Sequence, residues 1–177
     1  MKLLILVSLL MIAPPEEGLK IGGKAPDFTL QDVDGKVYQL SKLKQPLILL
    51  IFGNRRTRKE ADRWAEEVKK EFRKPIEEGK LAALQVGDVT SKPFFISRSF
   101  VIWWLKRNRT PLPMLLDWDG EVFKAYKVPK KKPMIYIVKG GRIEWKLASK
   151  FDKGEFEKLR AKLRELLGRD EKLRRSK

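Results

Sequence analysis

The run PLILLIF, residues 46–52, carries no polar side chain and sits directly ahead of a segment of opposite character. An apolar run this short, closed by Gly53 and Asn54, is the pattern of a strand covered on both faces. Residues 57–72 then change to a helical period, with Ala61, Trp64, Ala65, Val68 and Phe72 on one stripe. A second apolar run, LAALQVGDV, follows. Strand, amphipathic helix and strand in this order demand a parallel pair with a helix packed across it. That unit restricts the chain to an α/β architecture with helices on both sides of a sheet.

The remaining segments fit around this unit. FTL and VYQL flank the turn DVDGK and predict a hairpin within residues 25–43. Residues 93–107 read as a second helix, apolar on most faces, and PLPMLLD as a third buried strand. DWDGEVFKAYKV is a turn entering a short helix. PMIYIVKGGRIEWKLA is a hairpin turning at Gly140 and Gly141. Phe156, Leu159, Leu163, Leu166 and Leu167 form the stripe of a C-terminal helix, and the last residues read as frayed. The expectation is one domain over residues 21–168 with a mixed central sheet, preceded by a distinct segment (1–20) and followed by a basic tail (169–177).

The first segment opens Met1-Lys2 and continues in an apolar run to Ala13. One positive charge ahead of such a run has the shape of a secretory signal or short anchor. The run falls short of the roughly 20 residues needed to cross a bilayer as a helix. It predicts an exported, periplasmic or membrane-associated protein, with a cytoplasmic location as the alternative.

The chain contains no cysteine and no histidine. Thiol redox chemistry, disulfides, Cys or His metal sites and Cys-His or Ser-His nucleophiles are therefore excluded. No cofactor and no metal site are implied; the Asp117-Trp118-Asp119-Gly120 stretch reads as a turn. Lys and Arg number 40 against 23 Asp and Glu, a formal net charge of +17. That balance favours anionic partners: an acidic protein surface, a phosphate-type anion or an anionic membrane face. Nucleic acid is disfavoured, because no aromatic stacking series is interleaved with the basic clusters.

Two clusters stand out. Arg55, Arg56, Arg58 and Lys59 surround Thr57, where the first helix begins. Thr57 and Glu60 have the spacing of a capping box. Cations at a helix N-terminus oppose the helix dipole, so this cluster makes sense if an anion or acidic partner neutralises it. The second cluster, KAYKVPKKKP, carries Lys124, Lys127, Lys130, Lys131 and Lys132 ahead of Pro133. Trp103 and Trp104, flanked by Lys106, Arg107 and Arg109, admit two readings: a membrane-interface or partner-binding helix, or a helix packed between sheet and loop with one Trp buried and one partly exposed.

IGGKAPDFTLQDVDGKVYQLSKLK resembles the opening of the peroxiredoxin-like redoxins, the alkyl hydroperoxide reductase/thiol-specific antioxidant (AhpC/TSA) type. The matching positions are Gly22 or Gly23, Ala25, Pro26, Asp27, Phe28, Leu30, Asp32, Gly35, Leu40, Ser41 and Leu43. LLDWDGEVFKAYKV and PMIYIVKGGRI resemble the later segments of that family. The resemblance implies a thioredoxin-like three-layer sandwich with an N-terminal β-hairpin. It also locates a departure. Gly53 stands where the family's active-site Pro would be, Thr57 where its Thr would be, and Glu60 where the peroxidatic Cys would be. In a CXXC alignment the two cysteines fall on Thr57 and Glu60. The resemblance thus carries over a fold without its thiol chemistry. It also makes Pro133 the candidate for the family's cis-proline, with Pro129 as the alternative, which would place the lysine loop against the arginine cluster. The expected role is a redox-inactive, envelope-associated binding or docking module. A subunit acting beside a cysteine-bearing partner and a structural envelope scaffold are the alternatives.

Overall fold

A computed structural model describes residues 17–175. The apolar run of residues 1–13 lies outside the described residues. Seven strands form one sheet in the order β2-β1-β5-β4-β3-β6-β7: β1 Thr29–Asp32, β2 Val37–Gln39, β3 Leu47–Asn54, β4 Leu81–Asp88, β5 Met114–Asp117, β6 Met134–Lys139 and β7 Arg142–Ala148. The helices are α1 Arg58–Glu71, α2 Arg73–Glu77, α3 Arg98–Arg107, α4 Glu121–Ala125 and α5 Lys153–Arg175. β3 pairs in parallel with β4, and β4 with β5, whereas β6 runs antiparallel to β3. The sheet is therefore mixed, with β3 and β4 in its interior.

Side-chain alternation along β3 divides the core. Leu47, Leu49 and Ile51 join α1 and α5 in one cluster. Ile48, Leu50 and Phe52 face the other way, against Phe123, Tyr126 and Tyr136. Every residue from Leu47 to Phe52 is buried, so the polar-free run is a direct consequence of two covered faces. On the first face Trp64 is fully buried, packs on Phe151 at 5.3 Å and donates its indole N–H to the carbonyl of Ser149 at 3.2 Å.

The hairpin is tied down by its own motif. Asp27 accepts hydrogen bonds from the Ser41 hydroxyl (2.7 Å), the Ser41 N–H (2.9 Å) and the Gln39 amide (3.1 Å). Burial alone would raise its carboxyl; the Ser41 and Gln39 donors outweigh that and hold it below the ordinary value. Tyr126 donates to the carbonyl of Pro26 and Tyr136 to that of Tyr126. Burial raises both phenols, that of Tyr136 to about 12. Gly140 and Gly141 turn β6 into β7 with φ of 55° and 74°, the left-handed pair that tight hairpins require.

Three boundaries depart from the sequence reading. Residues 93–97 precede α3 as a loop, because the Ser97 hydroxyl caps the helix by accepting from the Phe100 N–H at 3.1 Å. A short α2 contains Pro75, which its first turn tolerates because the missing N–H has no helical partner there. The C-terminal helix continues through most of the tail, to Arg175.

Candidate functional site

The site lies where β3 ends and α1 begins. Asn54 organises the turn. Its side-chain oxygen accepts from the N–H of Arg56 (2.9 Å) and of Thr57 (3.2 Å), a local ring typical of Asn ahead of a helix. The Thr57 hydroxyl is buried and accepts the N–H of Asn54 at 2.9 Å. The anticipated capping box is therefore absent. Asn54 reaches the N–H groups of the turn first, and Thr57 bonds backwards to β3 instead of forwards into α1. Glu60 is engaged elsewhere: its carboxylate accepts the N–H of Phe151 at 2.9 Å and lies 3.7 Å from Arg63. At the two positions of the family's cysteines the chain thus carries a buried, bonded hydroxyl and a carboxylate that anchors the loop into α5.

Gly53 is required by the approach of α1. A Cβ there would lie 2.7 Å from the Cβ of Ala61. Beside it, a pocket of about 450 Å³ opens between Gly53, Asn54 and Arg58 on one wall and Pro93, Phe100 and Trp104 on the other. That volume is in the range of small-ligand sites.

The two basic clusters meet. The Asn54 amide donates to the backbone carbonyl of Lys130 at 3.1 Å, joining the start of α1 to the lysine loop. They meet without a cis-proline: every peptide bond among the described residues is trans, Pro133 and Pro129 included. The trans form is the lower in energy for X-Pro by about 0.5–1 kcal/mol, and the Asn54–Lys130 bond holds the loop against α1 in that form. Arg55, Arg56, Lys59, Lys130 and Lys131 are exposed and face no carboxylate within ion-pair distance among the described residues. Arg58 and Lys132 are compensated. Arg58 turns inward, with Nε 3.3 Å from the Asp62 carboxylate, its guanidinium 4.2 Å from the Trp104 ring centre, and Nη2 donating to the carbonyl of Asn108. Lys132 pairs with Glu17 at 2.8 Å.

Asp117 is buried and works as a turn residue. It accepts the N–H of Gly120 at 3.0 Å and of Phe123 at 2.9 Å. Burial pushes its carboxyl up to about 6 against those donors. Gln85, which the sequence reading passed over, is a buried polar residue inside β4. It donates to Asp62 at 2.8 Å, and Asp62 in turn holds Arg58. Its signal was a lone amide inside the apolar run that precedes Asp88.

The aromatic helix does not bury either tryptophan, contrary to the packed-helix reading. Of α3 only Leu105 is buried; Phe100, Trp103 and Trp104 are 47%, 52% and 41% exposed.

Comparison with known proteins agrees with this geometry. The thiol-disulfide oxidoreductase ResA of Bacillus subtilis (strain 168) is 28% identical over 128 residues, covering 72% of this chain and 67% of ResA. The fold matches the pneumococcal exposed lipoprotein thioredoxin Etrx1 from Streptococcus pneumoniae strain TIGR4, with a TM-score of 0.62 and 24% identity over 79% of this chain and 99% of that one. It also matches the thioredoxin domain of a thiol-disulfide oxidoreductase from Bacteroides vulgatus, with a TM-score of 0.56 and 20% identity over 74% and 91% of the two chains. The AhpC/TSA family pattern spans residues 21–146, and the chain belongs to the AhpC/TSA family, with a thioredoxin-like fold and none of the cysteines on which thiol chemistry depends.

Proposed function

We propose that this protein is a redox-inactive docking module that receives an anionic partner on the basic face at the mouth of α1. The observation that carries the reading is the Asn54–Lys130 hydrogen bond, which draws two cationic segments far apart in sequence onto one surface. Without a counter-anion, Arg55, Arg56 and Lys59 oppose the dipole of α1 and repel one another. An acidic surface, a phosphate group or an anionic membrane face relieves both costs. A role in the cell envelope is part of the proposal and rests on the signal-like run of residues 1–13.

Heparin serves as a polyanion probe. The salt needed to elute the intact chain is compared with that for Arg55→Ala/Arg56→Ala/Lys130→Ala/Lys131→Ala. A control, Lys42→Ala/Lys44→Ala/Lys69→Ala/Lys70→Ala, removes the same charge from exposed positions away from the mouth. The proposal requires a much larger loss for the mouth variant. Equal losses would reduce the binding to net charge and leave a scaffold as the better description.

A further inference from the structure

The basic mouth has an apolar neighbour that the fold itself does not use. Phe94 and Phe95, in the loop between β4 and α3, are 96% and 72% exposed, and their rings meet edge-on at 5.5 Å. Phe100 and Trp103 continue the patch, 5.6 Å apart on α3. Scattered exposed aromatics are ordinary, but several on one short segment mark a contact surface. The phenylalanines at the loop tip protrude, so this surface suits insertion into a soft phase better than reception of a peptide.

Charge and chain path identify the phase. From Val89 to Leu116 there is no acidic residue, while Lys92, Arg98, Lys106, Arg107 and Arg109 are basic, and of these Lys106 pairs with Asp34 at 3.1 Å. The patch adjoins the mouth, because Phe100 and Trp104 share a pocket with Arg55 and Asn54. The described chain starts at Glu17, whose carboxylate binds Lys132 of the lysine loop. The described chain therefore enters the domain at this same end. Among the described residues no helix is long and apolar enough to cross a membrane, so contact made by the domain itself is peripheral.

We infer that this end of the molecule docks on an anionic lipid bilayer. Phe94, Phe95 and Trp103 enter the interfacial layer, and the cations of the mouth and of α3 lie among the phosphate headgroups. Aromatic side chains ringed by Lys and Arg suit that boundary, where apolar and charged layers adjoin. The inference deepens the basic-face reading and rests on it.

The test uses the full chain with vesicles of phosphatidylcholine alone or mixed with phosphatidylglycerol, some carrying brominated acyl chains. Expected are sedimentation with the anionic vesicles, weak partition to the neutral ones, and quenching of tryptophan emission by the brominated lipid. Trp103→Phe/Trp104→Phe removes most of that quenching. Phe94→Ser/Phe95→Ser lowers partition about tenfold or more while its heparin elution stays that of the parent chain. The inference is overturned if Phe94→Ser/Phe95→Ser partitions like the parent. It is equally overturned if the protein sediments with vesicles while Trp103 and Trp104 stay unquenched, since the N-terminal run alone would then be the attachment. Retention on immobilised polyglutamate that needs Phe94 and Phe95, without vesicle binding, would overturn it in favour of an acidic protein partner. Mouth-dependent heparin binding without vesicle binding defeats this inference and leaves the basic-face reading standing; loss of both defeats both.

Discussion

α1 and α3 face each other across one pocket and use their apolar residues in opposite ways. α1 buries Ala61, Trp64, Ala65 and Val68 beneath an outward polar face. α3 buries Leu105 and leaves Phe100, Trp103 and Trp104 in contact with solvent. Apolar content alone does not reveal this difference. It follows from period: the stripe of α1 matches the sheet beneath it, whereas α3 is apolar around most of its circumference and only one side has a neighbour. The first helix is committed to the fold, and the second leaves apolar surface facing solvent.

The contrast is breakable in graded steps. Trp64→Ala should cost about 3–5 kcal/mol, whereas Trp103→Ala should stay within about 0.5 kcal/mol, both read from denaturant unfolding. Similar losses at the two positions would erase the distinction between the helices. Gly53→Ala, whose new Cβ would press on Ala61, should cost about 1–3 kcal/mol by overpacking. Ala61→Gly in the same chain should recover part of it, and the double-mutant cycle measures that coupling directly.

The two helix starts differ more finely. Ser97→Ala removes an ordinary cap and should cost about 1 kcal/mol without effect outside α3. Asn54→Ala should cost a similar amount and also release the lysine loop, so limited tryptic cleavage after Lys130 and Lys131 should accelerate in that variant alone. The smallest effect has the opposite sign. Arg55→Ala/Arg56→Ala should stabilise the protein by a few tenths of a kcal/mol at low salt, and the gain should vanish at high salt as the dipole interaction is screened.

Much of the scaffold was legible from sequence because period and composition agreed there. β3, β4 and α1 have unambiguous patterns, and FTL and VYQL around the DVDGK turn predict a hairpin that Asp27 then holds through Ser41 and Gln39. Features set by competition between neighbours were not legible. Thr57 and Glu60 have the spacing of a capping box, yet Asn54 stands three residues closer to the strand and satisfies the turn first. PFFI reads as helix until Ser97 is recognised as the cap. Pro133 required knowledge of how the loop lies on α1, which no local pattern encodes. The site was legible as two basic runs, and their meeting was expected only through the resemblance and a cis-proline that the structure does not have. Arg58 left the cluster because Asp62, one turn on, and Trp104, distant in sequence, draw it inward. The Asp62 spacing could have signalled the first contact; nothing local signals the second.

The central claim is that an uncompensated basic mouth stands where the family's thiol would be and binds an anion there. Its most direct measurement is heparin affinity titrated against salt for the parent chain and for Arg55→Ala/Arg56→Ala/Lys130→Ala/Lys131→Ala. Release of counterions from a defined contact makes the logarithm of affinity fall steeply with the logarithm of salt for the parent chain. The account predicts a distinctly shallower slope for the mouth variant and a nearly unchanged one for the control lacking Lys42, Lys44, Lys69 and Lys70. Parallel slopes for the parent chain and the mouth variant would contradict it.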